Sequence, residues 1–171
     1  MDASIPEVLV ILNAAIANGY FDFPIGKIEA HPKFRVIAAG NTTGLGADNH
    51  YTGRYCLDRA SLDRFAMIEI DYSPKIELAM SDDDRDLVKF CHAFRAITET
   101  SKIECLFSYR TINRIAKLAK VLEDMSEIIS ISLLKGLSVD DLNIIKNEFK
   151  KKAPLQQNKY VKAIYDCEGL V

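Results

Sequence analysis

The sequence predicts an α/β section followed by an all-helical section, and three observations carry this prediction. Apolar residues make up 49% and charged residues 27% of the 171 residues, the balance of a folded protein with a core. From residue 1 to about residue 75, helix and strand signals alternate along the chain. From residue 81 onward, apolar residues recur at helical spacing. We therefore predict two domains, residues 1–75 and residues 76–171.

The first section begins with a helix and a hairpin. Ser4 and Glu7 have the spacing of a capping box, which predicts a helix that continues through Val8–Asn18 and ends at Gly19. Aromatic residues then alternate around a Pro-Gly turn over residues 20–29. This pattern is typical of a short β-hairpin.

Two strands and a loop complete the first section. Residues 35–39 are rich in β-formers and predict a buried strand, and residues 66–72 alternate between apolar and acidic side chains as a strand does. A polar, glycine-rich loop over residues 42–55 and a short helical turn over residues 61–65 lie between them.

The second section predicts five helices. Each of the first four helices is predicted from a capping residue followed by an apolar stripe, and the predicted caps are Ser81 or Asp82, Ser108, Asp124 and Ser138. The fifth helix is predicted near Leu155–Cys167. Gly136 is expected to end the third of these helices.

Charge and composition exclude several function classes. Lys and Arg number 22 against 24 Asp and Glu, so the chain is near neutral and is not expected to bind polyanions generically. The lysine cluster over residues 146–152 lies at a predicted helix C-terminus, where a solvated face is favoured over a nucleic-acid site. No apolar run reaches the ~20 residues of a membrane span, and the start has no basic n-region, so we expect a cytoplasmic protein.

The sequence lacks the patterns of most enzyme and metal sites. The four cysteines form no C-x-x-C, which favours free thiols over zinc or a redox pair. His31, His50 and His92 form no H-x-x-x-H pair, so no metal site is expected. The sequence has no G-x-S-x-G, and its one Gly-Lys pair, Gly26-Lys27, does not belong to a phosphate-binding loop.

Asn41 is the first residue that suggests a site, because it directly follows the predicted strand over residues 35–39. A polar amide at the carboxyl end of a buried strand points to the crevice where α/β sheets bind ligands. Its amide both donates and accepts, so it suits a phosphate oxygen and a water together. The alternative is a simple turn residue.

Two arginines stand in unusual settings. Arg64 occurs in Leu62-Asp63-Arg64-Phe65, where apolar neighbours would hold its planar fork toward a phosphate or a carboxylate; an ordinary salt bridge is the alternative. Arg110 follows Ser108-Tyr109 in the first turn of a predicted helix, where the helix dipole disfavours a cation. Such a cation calls for an anion, either a nearby carboxylate or a nucleotide phosphate.

Taken together, these features resemble AAA+ ATPases of the MoxR, dynein-related and cobaltochelatase-type branch. The run from His31 to Thr42 resembles the sensor 1 region, and the glycine-rich segment Gly44–Asp48 follows it as in that branch. Leu62–Phe65 is similar to the L-D-R-F arginine-finger signature, and Ser108–Arg110 to the S-x-R pattern of sensor 2. The resemblance covers about residues 2–120, and the opening residues resemble the segment that follows the Walker B pair.

The resemblance implies a fold and a set of roles. The fold would be a truncated AAA+ core with a partial parallel sheet, followed by a helical lid. Asn41 and Arg64 would be catalytic: Asn41 would orient the attacking water, and Arg64 would reach the ATP of an adjacent subunit. Arg110 would contact the phosphates of its own subunit, and the hairpin would face the pore of a ring, usually a hexamer. Arg54 and Arg59 are rivals for the finger role, but only Arg64 stands in the L-D-R-F setting.

The phosphate-binding half of such a site is missing from this sequence. It contains neither the G-x-x-x-x-G-K-[ST] loop nor any Asp-Glu dipeptide, so the groups that bind ATP and Mg²⁺ would lie elsewhere in the complete protein. We expect the chain to be inactive alone and to self-associate through apolar surfaces left without strands. The alternative is a non-catalytic protein-interaction module derived from an AAA+ domain. The protein substrate or adaptor is not apparent in the sequence.

Overall fold

The computed structural model describes residues 1–47 and 52–168, which belong to two compact units. Unit 1 is Met1–Glu69 and unit 2 is Ile70–Val171.

Unit 1 contains two helices and a hairpin, and their bounds are α1 Pro6–Asn18, β1 Tyr20–Phe23, β2 Gly26–Glu29 and α2 Arg59–Asp63. The hairpin prediction is confirmed: the strands are antiparallel, with Tyr20 opposite Glu29. Gly19 ends α1 with φ of 71°, a left-handed conformation that glycine adopts without steric cost. The predicted Ser4 cap is wrong, because Ile5 occupies the N-cap position and no side chain caps this helix.

The predicted parallel sheet is not present. In the part of the chain that the structure describes, the hairpin is the only sheet, and residues 35–39 and 66–72 form no strand. A strand exists only when it forms hydrogen bonds to a neighbouring strand. Neither segment has such a neighbour among the described residues, so strand-like composition does not produce a strand there.

The regular elements in the described part of unit 2 are all helical. They are α3 Pro74–Met80, α4 Arg85–Ser101, α5 Tyr109–Leu118, α6 Met125–Ser132, α7 Val139–Lys151, a 3₁₀ turn Ala153–Leu155 and α8 Lys159–Asp166. The caps predicted at Ser108, Asp124 and Ser138 are confirmed. α3 was not predicted, and its first residue is Pro74, which suits the first turn of a helix. The cap predicted at Ser81 or Asp82 is wrong, because the carboxylate of Asp84 accepts the first amides of α4.

Unit 2 has one continuous apolar core. Its centre is Phe90, whose ring lies 5.6–5.9 Å from four other aromatic rings, those of Phe94, Phe107, Phe149 and Tyr160. All five side chains are almost fully buried. Because each large apolar side chain contributes about 1.5–3 kcal/mol when fully buried, this core stabilises the unit.

Unit 1 buries far less. The buried apolar side chains among its described residues are Leu9 and Leu57. Many large apolar side chains are instead exposed, namely Ile5, Val8, Val10, Ile11, Leu12, Phe23, Ile25, Ile28, Phe34, Ile37, Leu45, Tyr55, Met67 and Ile68. Exposed apolar surface of this extent is unusual for a folded unit.

Hydrogen bonds and an ion pair connect the start of α4 to the start of α8. Asp84 Oδ2 accepts hydrogen bonds from the Tyr160 hydroxyl and from Lys159 Nζ, each at 2.8 Å. Asn158 Nδ2 donates to the carbonyl oxygen of Asp86 at 2.7 Å. Burial raises the pKa of Asp84, but the hydrogen bonds from Lys159, the Leu87 amide and Tyr160 outweigh it, so the pKa of this carboxyl lies below its usual value.

Residues 70–171 are expected to fold without the first 69 residues, because the apolar core of unit 2 is contained within them. Far-ultraviolet circular dichroism of this fragment should show a helical spectrum and a single cooperative urea transition. The matching fragment 1–69 should show neither. A fragment 70–171 that remains unfolded would contradict the assignment of the core to unit 2 alone.

Asp84→Asn is expected to destabilise the protein at neutral pH and to have little effect in acid. The pKa of Asp84 is lowered by folding, so its contribution is present above the unfolded pKa of about 3.9 and is lost as the pH falls through the lower folded value. Because asparagine also caps helices, the substitution keeps the cap and removes the ion pair and the charged hydrogen bonds. The free energy of unfolding at pH 7 should therefore fall by about 1.5–3 kcal/mol.

Urea unfolding of both proteins at pH 7 and near pH 2.5 checks this, with Asp140→Asn in the exposed first turn of α7 as the control. A difference between wild type and Asp84→Asn that persists undiminished in acid would contradict the pKa assignment.

Candidate functional site

Asp2 holds the loop that carries Asn41. Its carboxylate oxygen Oδ2 accepts the backbone N–H of Asn41 at 3.0 Å and both the N–H and the hydroxyl of Thr42 at 2.9 Å. The backbone carbonyl of Asp2 also accepts the N–H of Tyr55 at 2.9 Å. One residue therefore binds the chain at both ends of the glycine-rich loop.

The Asp2 carboxylate is buried and charged. Burial raises its pKa, but the hydrogen bonds from Thr42 and Asn41 and the nearby Arg54 guanidinium outweigh that effect and hold the pKa below its usual value. Arg54 Nε lies 3.6 Å from Asp2 Oδ2. Arg54 is therefore engaged inside unit 1, which makes it a weaker rival to Arg64.

Asn41 combines a fixed backbone with an exposed side chain. Its N–H is bound by Asp2, whereas the residue as a whole is exposed. The loop that follows depends on Gly44, whose φ is 85° and whose carbonyl accepts the N–H of Leu57 at 2.8 Å. A Cβ at Gly44 would come within 2.8 Å of a methyl carbon of Leu62, so the Leu62 side chain would have to shift, and the positive φ would be strained for any other residue. Asn41 thus combines a backbone fixed by Asp2 with an exposed position before the glycine-rich loop.

Arg64 lies at the C-terminal end of α2 and is exposed. Its Nη1 donates to the carbonyl of Ala60 at 2.5 Å, which orients the guanidinium from its own helix. Among the described residues it forms no ion pair with a carboxylate.

A shallow cleft of about 250 Å³ adjoins Arg64, and no carboxylate lines it. Its lining residues are Ala15, Ile16, Gly19, Ala30, Phe34, Arg35, Val36, Arg64 and Phe65. The Arg35 guanidinium is held by the carbonyls of Pro32 at 3.2 Å and Phe34 at 2.6 Å. Two guanidinium groups without a carboxylate suit an anionic ligand. The sequence interpretation missed Arg35 because it lies inside the segment taken as a buried strand.

A chain of hydrogen bonds positions α2 on α1. Asn13 Nδ2 donates to the Ser61 hydroxyl at 2.5 Å, and that hydroxyl donates to Asp58 Oδ2 at 2.6 Å. Asp58 also caps α2 by accepting the N–H of Ser61 at 2.8 Å. Asn13 and Ser61 are buried, so this chain fixes the helix that ends at Arg64. No sequence motif marks these residues.

Arg110 is the second residue of α5 and is exposed. Ser108 caps the helix by accepting the N–H of Thr111. No carboxylate of the described residues pairs with Arg110, so the partner expected from the helix dipole is not a side chain in the part of unit 2 that the structure describes.

The predicted site residues divide between the two units. Asn41 and Arg64 lie in unit 1, where Asn41 does not line the cleft beside Arg64, and Arg110 lies in unit 2. Asp48 and His50 fall outside the described residues. Within the described ranges, no group of three His, Cys, Asp or Glu side chains has the arrangement of a metal site, and no helix has the length and apolar character needed to cross a membrane.

Comparison with protein-family models, with curated proteins and with solved structures finds no match for this chain. The AAA+ resemblance therefore stays a prediction that rests on the residues quoted above.

Proposed function

We propose that this chain is the carboxy-terminal half of an AAA+ ATPase that couples ATP binding and hydrolysis to the remodelling of a protein partner. Asn41 orients the attacking water, Arg64 reaches the ATP of an adjacent subunit, and Arg110 contacts phosphates in its own subunit. The phosphate-binding loop and the carboxylates that hold Mg²⁺ and activate water come from outside these 171 residues, because the sequence has no motif for either.

The observation that carries the proposal is the setting of Arg64. Its guanidinium is exposed, is oriented by the carbonyl of Ala60, and forms no ion pair with the described carboxylates. Other exposed arginines, Arg59 and Arg110 among them, also lack an ion pair, but Arg64 in addition lines a cleft that contains Arg35 and no carboxylate. A guanidinium held by its own backbone but left without a carboxylate suits an external phosphate.

The exposed apolar residues of unit 1 provide independent support. α1 exposes Val8, Val10 and Ile11, and the segments that would form a sheet expose Ile37 and Ile68. Side chains of this kind are ordinarily covered when helices pack on a sheet. A sheet completed by strands from another segment would cover them and would also place Asn41 at its carboxyl edge.

The roles follow from the chemistry of each group. The Asn41 amide has donors and an acceptor, so it can hold a water by its oxygen and a phosphate oxygen by its nitrogen. The Arg64 guanidinium stabilises negative charge that develops on a transferred phosphoryl group, a contribution of roughly 10³–10⁵ in rate for arginine fingers. Arg110 stands in the first turn of α5, where the amides and the guanidinium together favour an anion.

The chain alone is expected to bind Mg-ATP weakly, because most of the affinity of such sites comes from the phosphate-binding loop and the metal. Isothermal titration calorimetry of the 171-residue chain should detect no micromolar binding. When the chain is assembled with the polypeptide that carries the phosphate-binding loop, Arg64→Ala should lower kcat by roughly 10³-fold or more. Arg59→Ala, on the same short helix, is the matched control and should leave kcat nearly unchanged.

The finger role also predicts complementation between subunits. Arg64→Ala subunits mixed with subunits whose Walker B glutamate is replaced should regain ATPase activity, since each supplies the group that the other lacks. Micromolar Mg-ATP affinity of the chain alone, or equal effects of Arg59→Ala and Arg64→Ala, would contradict the proposal.

The self-contained core of unit 2 favours a second candidate, a non-catalytic protein-interaction module derived from an AAA+ domain. The two candidates differ in their need for the arginines. An interaction module keeps its partner when Arg64 and Arg110 are both replaced by alanine, whereas the ATPase loses its nucleotide-dependent activity.

We also propose that the isolated chain self-associates, because a second copy covers the apolar side chains of unit 1. In the complete protein the corresponding assembly is a ring, usually of six subunits. Multi-angle light scattering of the full chain should give a mass above 19.2 kDa that rises with concentration, whereas residues 70–171 stay monomeric. A full chain that stays monomeric at millimolar concentration would contradict this.

A further inference from the structure

The first residues of unit 2 are clamped onto two of its helices. The guanidinium carbon of Arg95 lies 3.6 Å from the centroid of the Tyr72 ring, a cation–π contact. The Tyr109 ring meets the Tyr72 ring edge-on, with centroids 5.1 Å apart. The Tyr109 hydroxyl accepts the N–H of Ser73 at 2.5 Å. The segment that follows unit 1 is thereby bound to α4 and to the start of α5.

Arg95 is the residue common to these contacts. Its Nε and Nη2 donate to the carbonyl of Phe107 at 2.8 and 2.5 Å, directly before the Ser108 cap of α5. Its Nη1 donates to the buried Glu77 of α3, whose other carboxylate oxygen lies 2.5 Å from His92 Nε2. One planar group therefore contacts α3, the loop before α5, and the Tyr72 ring.

We infer that Arg95 is a positioning residue for Arg110. Arg110 directly follows Tyr109, so the contacts that fix Tyr109 and the Phe107 carbonyl also fix the turn that presents Arg110. A displacement of the segment after unit 1 moves Tyr72 and, through Arg95 and Tyr109, the first turn of α5. This inference rests on the proposed function, in which Arg110 contacts phosphate. The contacts of Arg95, Tyr72 and Tyr109 then couple the position of the segment after unit 1 to that phosphate contact.

The geometry requires arginine rather than lysine. Lysine keeps a positive charge beside Glu77, but a single ammonium group does not lie over the Tyr72 ring while also giving two hydrogen bonds to the Phe107 carbonyl. Arg95→Lys therefore preserves the pairing of the buried carboxylate and removes the link to α5. This separates positioning from stability.

Amide hydrogen exchange on the full chain tests the inference without nucleotide. In Arg95→Lys, the amides of Ser73, Thr111 and Ile112 should exchange at least about tenfold faster than in wild type, and those of α6, α7 and α8 should be unchanged. Lys89→Met, on the exposed side of the same helix, is the control and should change none of these amides. Arg95→Met is the second variant. It should show the same local increase in amide exchange together with a lower free energy of unfolding for the whole unit.

A pair of spin labels gives a direct readout of position. Cysteines introduced at Asp71 and Arg110 in a Cys56→Ser background carry the labels, because the three remaining thiols have raised pKa values from burial, about 12 for Cys91 and about 11 for Cys105 and Cys167. The distribution of label distances should be narrow when Arg95 is present and broad in the Arg95→Lys variant. A control pair at the exposed Lys150 and at Gln157 should not change.

Three results in Arg95→Lys would overturn the role of Arg95. They are unchanged amide exchange at Ser73, Thr111 and Ile112, an increase in exchange rate spread evenly over all helices, and an unaltered distribution of label distances. None of these results depends on ATP. If these experiments contradict the role of Arg95, the proposed phosphate contact of Arg110 is unaffected. If the assembled ATPase shows no phosphate contact by Arg110, the positioning role of Arg95 is unaffected.

Discussion

Burial of apolar side chains is the constraint on which the whole molecule depends, and the two units meet it differently. Around Phe90, four stacked or edge-on rings and the helices that carry them enclose a core within unit 2. Unit 1 also contains apolar segments, but Leu9 and Leu57 are the apolar side chains that are buried among its described residues. Its shape is maintained by polar contacts, chiefly those of Asp2 and Asn13, rather than by a core.

Those polar contacts are what give the candidate site its geometry. Asp2 fixes the backbone at Asn41 and Thr42, and the Asn13–Ser61–Asp58 chain fixes the helix that ends at Arg64. Buried hydrogen bonds of this kind are costly to break, because each leaves a polar group without a partner. Both anchors lie within residues 2–13, so the opening segment of the chain positions both candidate residues of unit 1.

The sequence predicted the helical unit well because its signals are local. Ser108, Asp124 and Ser138 cap the helices that follow them, and each cap needs only the next few amides. Helix α3 is absent from the prediction because its first residue is Pro74, and proline ends one element as readily as it begins another. The Asp84 cap was missed because the acidic run before α4 offers several capping candidates.

Unit 1 was predicted less well because strands depend on distant partners. Residues 35–39 have the composition of a buried strand, yet nothing in the described residues pairs with them. The candidate residues Asn41, Arg64 and Arg110 could be selected from their settings in the sequence. Asp2, Asn13 and Arg35 could not, because an aspartate, an asparagine or an arginine acquires its importance only from the groups that folding brings beside it.

The central claim is that unit 1 is one part of a sheet whose remaining strands and phosphate-binding loop come from elsewhere. Amide hydrogen exchange at residues 35–39 and 66–70 tests it most directly, measured for the chain alone and for the chain assembled with a polypeptide that carries the phosphate-binding loop. The account predicts unprotected amides in the first case and strand-like protection in the second. Amides that stay unprotected in the assembled protein, or that are already protected in the chain alone, would contradict it.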